Sequence, residues 1–117
     1  MHALEKAKII AKAVDDKKAH DVEVLDVAKQ TSLCEYFVMA ACQSKTQVKA
    51  CADAAEEKMK EEGILVHHTE GYAGGNWILL DFGDVVVHVM TDETKNFYDL
   101  SRLWEDATNV SLDFLEE

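Results

Sequence analysis

Ser44, Asp81, Asp84, three histidines (His67, His68 and His88) and three cysteines are the side chains of this 117-residue chain that could do chemistry. Ser44 follows an apolar run and opens a helical pattern, as a nucleophile on a strand-to-helix elbow would. The G-x-S-x-G pattern is missing, however, and Gln47 three residues on makes Ser44 the start of a capping box. Asp81 and Asp84 flank a turn, and such a carboxylate pair can hold a divalent ion or exchange protons, but no third ligand accompanies them. Asp81-Phe82-Gly83 copies a kinase metal-binding tripeptide, yet the glycine-rich strand, its lysine and the catalytic loop are absent. Gly71 to Gly75 lacks the phosphate-loop pattern and a following helix. His67 and His68 are neighbours on a predicted strand and should point to opposite faces, and His88 has no second ligand at a suitable spacing. Cys34, Cys42 and Cys51 are odd in number and form no C-x-x-C, so they read as buried thiols in a reducing compartment. No catalytic residue, metal site or cofactor is therefore expected.

The elements around these residues are more informative. Trp77 to Met90 reads as a β-hairpin with Gly83-Asp84 as its two-residue loop, glycine at the first central position suiting a type II′ turn. The strands then pair Phe82 with Val85, Leu80 with Val87 and Ile78 with Val89, which makes one wholly apolar face. The opposite face pairs Asp81 with Val86, Leu79 with His88 and Trp77 with Met90. Aromatic residues and methionine are enriched at the cores of interfaces, so this mixed face points to a docked partner and not to a reaction. Trp77, Leu79 and Asp81 are the candidate partner-binding residues on it, with Tyr98 and Arg102 on the rim of an adjoining helix.

The rest of the chain supplies a framework. Leu4, Ala7, Ala11 and Val14 mark a first helix over roughly 3–17. Residues 21–27 alternate as a half-exposed strand, and residues 36–42 form a continuous apolar run suited to a central one. A second helix opens at Ser44, buries Val48, Cys51 or Ala52, Ala55 and Met59, and ends at Gly63. Ile64 to Thr69 reads as a third strand, and a strand-helix-strand crossover over 36–69 makes its two strands parallel. The last helix starts at Thr91-Asp92-Glu93 and is expected to run to about Asp106, burying Phe97, Leu100, Leu103 and Trp104. The expected architecture is α/β (α+β): a five-stranded mixed sheet flanked by three helices in the order α-β-β-α-β-β-β-α. Without proline, repeats or a linker, residues 1–107 read as one domain and 108–117 as a short acidic tail.

Net charge is −11, and all of it lies after residue 60, where Lys95 and Arg102 stand against thirteen acids. Nucleic acid draws most of its affinity from Lys and Arg, so direct nucleic-acid specificity is not expected and a basic protein partner is. No apolar run approaches the ~20 residues of a membrane span, and the amino terminus lacks a signal-peptide layout, which places the expected site of action in the cytoplasm.

Four segments together carry a resemblance over about residues 4–107: Ser32-Leu33-Cys34-Glu35-Tyr36-Phe37-Val38, Ser44-Lys45-Thr46-Gln47-Val48, Trp77 through Val89, and Phe97-Tyr98-Asp99-Leu100-Ser101-Arg102-Leu103-Trp104. The chain resembles the ribosomal silencing factor family, RsfS, also called Iojap. The resemblance implies a nucleotidyltransferase-like fold without the transferase's Gly-Ser and Asp-x-Asp elements. It also implies binding to the large ribosomal subunit through ribosomal protein L-fourteen, blocking the small subunit and repressing translation under starvation. Met90 and Cys34 depart from the residue types usual in the family. Two other classes stay open at this point: a nucleotide-binding enzyme of nucleotidyltransferase type using Ser44, Asp81 and Asp84, and a homodimeric scaffold.

Overall fold

The computed structural model describes residues 1–99, 102 and 105–116. The chain runs α1 (Ala3–Asp16), β1 (His20–Asp26), β2 (Tyr36–Cys42), α2 (Lys45–Glu61), β3 (His68–Glu70), β4 (Trp77–Asp81), β5 (Val85–Thr91), α3 (Asp92–Tyr98) and β6 (Thr108–Asn109), and closes with a 3-10 turn at Asp113–Glu116. The strands form one mixed sheet in the order β3-β4-β5-β2-β1-β6. β2 and β5 are parallel, and the other neighbouring pairs are antiparallel.

Local chemistry explains the helix that starts after β2. Ser44 is extended, its Oγ accepts from the Gln47 amide at 3.2 Å, and Gln47 Oε1 accepts from the Gln43 amide at 3.1 Å. Gln47 also donates through Nε2 to the Lys18 carbonyl at 2.8 Å, so the cap of α2 clasps the chain just beyond α1. Val48, Cys51, Ala52, Ala55 and Met59 are buried as a stripe, facing Ala7, Ile10, Ala11 and Val14 of α1.

Both long helices cover one face of the sheet. Ile78, Leu80, Val87 and Val89 are buried on it together with Val24, Val38, Ala40 and Cys42. The hairpin has the expected register, Ile78 opposite Val89 and Leu80 opposite Val87. Phe82 donates to the Val85 carbonyl at 2.9 Å, with Gly83 at φ +92, a conformation that a residue with a Cβ resists.

Three expectations change. The sheet has six strands, because Thr108–Asn109 pairs with Leu25 and Asp26; a two-residue strand carries no periodicity to read. β3 is only His68–Glu70 and, although it runs in the same direction as β2, β4 and β5 lie between them. The crossover sets direction, but the later hairpin fills the gap and takes the place beside β2. Finally, α3 ends at Tyr98, where Asp99 adopts a left-handed φ of +49. Aspartate tolerates this conformation better than most residues, and it terminates a helix. Phe97, expected in a buried stripe, is 79% exposed; Leu100, Leu103 and Trp104 lie outside the described residues.

Leu79 and Leu80 are adjacent on β4 with opposite burial. Leu80→Ala should lower unfolding free energy by about 2–5 kcal/mol in urea titrations, as a truncation in a packed core does. Leu79→Ala should cost less than half as much. Equal losses would mean that both faces of β4 are core.

Candidate partner-docking face

The face turned away from α1 and α2 is assembled in rows by the sheet's register. One row runs His68, Asp81, Val86, Phe37, Leu25; the next runs Glu70, Leu79, His88, Met39, Glu23. A third pairs Trp77 with Met90 and Met90 with Ala41. Apolar and aromatic side chains thus occupy the middle of the face, and carboxylates lie toward both edges.

Aromatic rings cross these rows. Phe37 meets His88 edge-on at 4.9 Å, His88 and Trp77 are 5.9 Å apart, Trp77 and Tyr98 are 5.7 Å apart, and Tyr98 meets Phe97 edge-on at 5.0 Å. The row begins in the small cluster of Leu25, Val27, Cys34, Phe37 and Ala107 and ends in solvent, Tyr98 being 56% exposed. Trp77 is half-buried, and its Nε1–H donates to His88 Nδ1 at 3.1 Å. That bond sets the tautomer: neutral His88 carries its proton on Nε2, which is buried and has no partner among the described residues. Burial holds His88 down at about 4. The backbone before Trp77 is equally constrained, since a Cβ on Gly71, at φ +80, would lie 2.1 Å from the Trp77 carbonyl oxygen.

The structure brings Trp77, Leu79 and Asp81 onto one face of β4, all half-buried, and sets Tyr98 against Trp77. Asp81 Oδ1 accepts from the Gly83 amide at 2.7 Å and so braces the hairpin turn as well as edging the face. Arg102 is exposed and pairs with Asp99 at 3.6 Å. Val86 lies on this face as expected, whereas sequence reasoning missed Phe37 and Met39, because an uninterrupted apolar strand shows no alternation to divide its two sides. It also missed Phe97, having assigned it to the core.

The candidate chemical groups are dispersed. Ser44 follows the end of β2, whereas the Asp84 carbonyl accepts from the Glu35 and Tyr36 amides at its start. Seven residues of strand separate them, about 20 Å at ~3.3 Å per residue. Ser44 Oγ is occupied by its cap, and Asp84 Oδ1 is ion-paired with Lys6 Nζ at 2.9 Å. A grouping not foreseen is His20, Asp21 and Asp92, whose ligand atoms lie within 4.8 Å of one another. Its members already have partners, His20 Nε2 hydrogen-bonded to Asp92 at 2.5 Å and Asp21 ion-paired with Lys95 at 3.4 Å.

The family described as "ribosomal silencing factor during starvation" matches residues 1–117. The chain is 40% identical over 104 residues to the ribosomal silencing factor RsfS of Chromobacterium violaceum, covering 89% of this chain and 85% of that protein. It is 40% identical over 107 residues to the RsfS of Bacillus subtilis, covering 92% and 91%. A crystal structure of a Chromobacterium violaceum protein superposes with a TM-score of 0.87 at 38% identity, over 97% of this chain and 93% of that one.

His88 should make stability depend on acidity. Its folded-state value of about 4 lies below the ordinary 6.5, so the unfolded chain binds the extra proton first as pH falls. The contribution of neutral His88 is whole above pH 6.5 and is lost progressively as pH falls toward 4, on the order of 3 kcal/mol in all. Chemical denaturation across that window should show a shallower acid loss for His88→Phe than for the parent. Parallel curves would mean that His88 is solvated.

Proposed function

Because the chain belongs to the ribosomal silencing factor family, whose members are non-enzymatic, we propose that it docks on the large ribosomal subunit through ribosomal protein L-fourteen. From that position it keeps the small subunit from joining and represses translation in the cytoplasm when nutrients are short. The observation that supports this reading is the row Phe37, His88, Trp77, Tyr98 and Phe97, which leads from the packed sheet to solvent. Such a row offers a large apolar contact area on side chains already held in place, so little conformational freedom remains to be lost on docking.

In this reading Trp77 is the central anchor. Leu79 fills in beside it, Tyr98 extends the contact on the helix side, and Asp81 and Arg102 give polar contacts at the edge. Glu23, Glu70 and Asp81 flank the apolar middle on both sides and suit a basic ribosomal protein. Charges at the rim act mainly on encounter rate and partner choice, whereas the buried aromatic acts on the lifetime of the complex.

Co-sedimentation with purified large subunits, alongside circular dichroism of each variant, tests the assignment. Trp77→Ala should stay folded and bind at least about 30-fold more weakly, the effect of losing roughly 2 kcal/mol at a central anchor. Tyr98→Ala, Asp81→Asn and Arg102→Ala should each cost less. Parental binding should weaken as salt rises, because the Debye length contracts from about 10 Å at 0.1 M. Unchanged binding by Trp77→Ala would move the docking surface elsewhere, and loss of a homodimer in place of subunit binding would assign the face to self-association.

A further inference from the structure

Cys42 ends β2, Cys51 lies in the second turn of α2, and their sulfur atoms are 3.6 Å apart. Both side chains are completely shielded from solvent. We propose that this pair is an oxidation site at which a small hydroperoxide forms an intramolecular Cys42–Cys51 disulfide.

The surroundings of the two sulfurs differ. The two sulfurs are in hydrogen-bond contact with either thiol able to donate, and that contact, helped by the Lys17 charge and the Ala19 amide and opposed by burial, holds the Cys51 thiol below its ordinary value. The same contact, with burial, pushes the Cys42 thiol up. In this proposal Cys51, beside Lys17, is the nucleophile and Cys42 the resolving thiol, since the thiolate is the reactive form. The Cys51 thiolate attacks one oxygen of hydrogen peroxide, the O–O bond breaks, and the departing hydroxide takes the proton released by Cys51 to become water. Cys51 is left as a sulfenic acid. Cys42 Sγ then attacks the Cys51 sulfur, and the displaced hydroxyl leaves with the Cys42 proton as a second water. Two thiols lose two electrons, and one peroxide becomes two waters.

Closing the bond requires the sulfurs to approach from 3.6 Å to about 2.05 Å. Burial selects the oxidant: a small neutral peroxide can enter where a bulky disulfide cannot. The product would staple β2 to α2 around the Ser44 cap and the Gln47 clasp, closing a short loop that is open in the reduced unfolded chain. Cys34 lies in the other cluster, on the opposite face of the sheet, and has no part in the bond.

The folded protein is treated with stoichiometric hydrogen peroxide, alkylated under denaturing conditions and mapped by peptide mass spectrometry. The expected product has lost two hydrogens, links the Cys42 and Cys51 peptides, leaves Cys34 free to alkylate, and melts at a higher temperature until reductant restores the parent midpoint. Cys34→Ala should react in the same way and Cys51→Ala should form no intramolecular bond. Since the wild-type peptide map reads the bond directly, a poorly folded Cys51→Ala variant does not leave the question open. Oxidation first at Cys34, a disulfide between chains, or three free thiols after peroxide would each overturn the assignment.

Discussion

The constraint on which the rest of this structure depends is that two long helices cover only one face of the sheet. α1 and α2 bury the Val24, Val38, Ile78, Leu80, Val87 and Val89 side, and the chain has no third long helix among its described elements for the other. Successive strand residues point to opposite faces, so every core residue on β4 commits a neighbour to the less covered side. Ile78 and Leu80 can be core only if Trp77, Leu79 and Asp81 are not. A one-residue slip would drive Asp81 into the apolar interior and expose Leu80, and this penalty is what holds the half-covered face in register.

A half-covered face holding Trp, Met and Phe would invite unspecific association unless its side chains were held in place, and the hydrogen bond from Trp77 to His88 supplies that restraint. It fixes the indole's tilt and satisfies its N–H without water. The cost is a histidine whose buried Nε2 has no partner among the described residues and whose proton affinity is far below normal. Protonation would put an N–H on Nδ1, facing the donor of Trp77, so burial and geometry both favour the neutral ring. Tyr98 then leans on a ring that is already held. The short α3 is anchored at its start, where Thr91 Oγ1 accepts from the Thr94 amide at 3.2 Å.

Local chemistry made much of this legible in the residues. The hairpin could be read because Gly83-Asp84 leaves one register that keeps Ile78, Leu80, Val87 and Val89 together, and α2 because Ser44 and Gln47 announce its start. Both are decided within a few residues of chain. What the residues did not reveal depends on distant choices. The place of β3 depends on a hairpin that comes later in the chain, and β6 is too short to carry a pattern. α3 shows the opposite failure: a clean helical stripe through Phe97 was overruled by one left-handed aspartate, since periodicity reports what a helix could bury and not where the backbone turns. The candidate site was readable along β4 for the same reason as the hairpin. Its Phe37 and Met39 half lies on a strand flanked on both sides, where apolar residues on both faces erase the alternation.

Charge and shape have separate roles on this face. The carboxylates that could have served chemistry are each engaged in holding the fold, for Asp81 braces the turn, Asp84 pairs with Lys6, and Asp92 pairs with His20. Glu70, which pairs with His68 at 2.9 Å, and Glu23 stand toward opposite edges of the sheet instead of converging on a point. Catalysis needs convergence within hydrogen-bond reach, whereas recognition of a basic surface needs only a field of the right sign around an apolar anchor. An aromatic row in the middle with acids spread around it meets the second requirement.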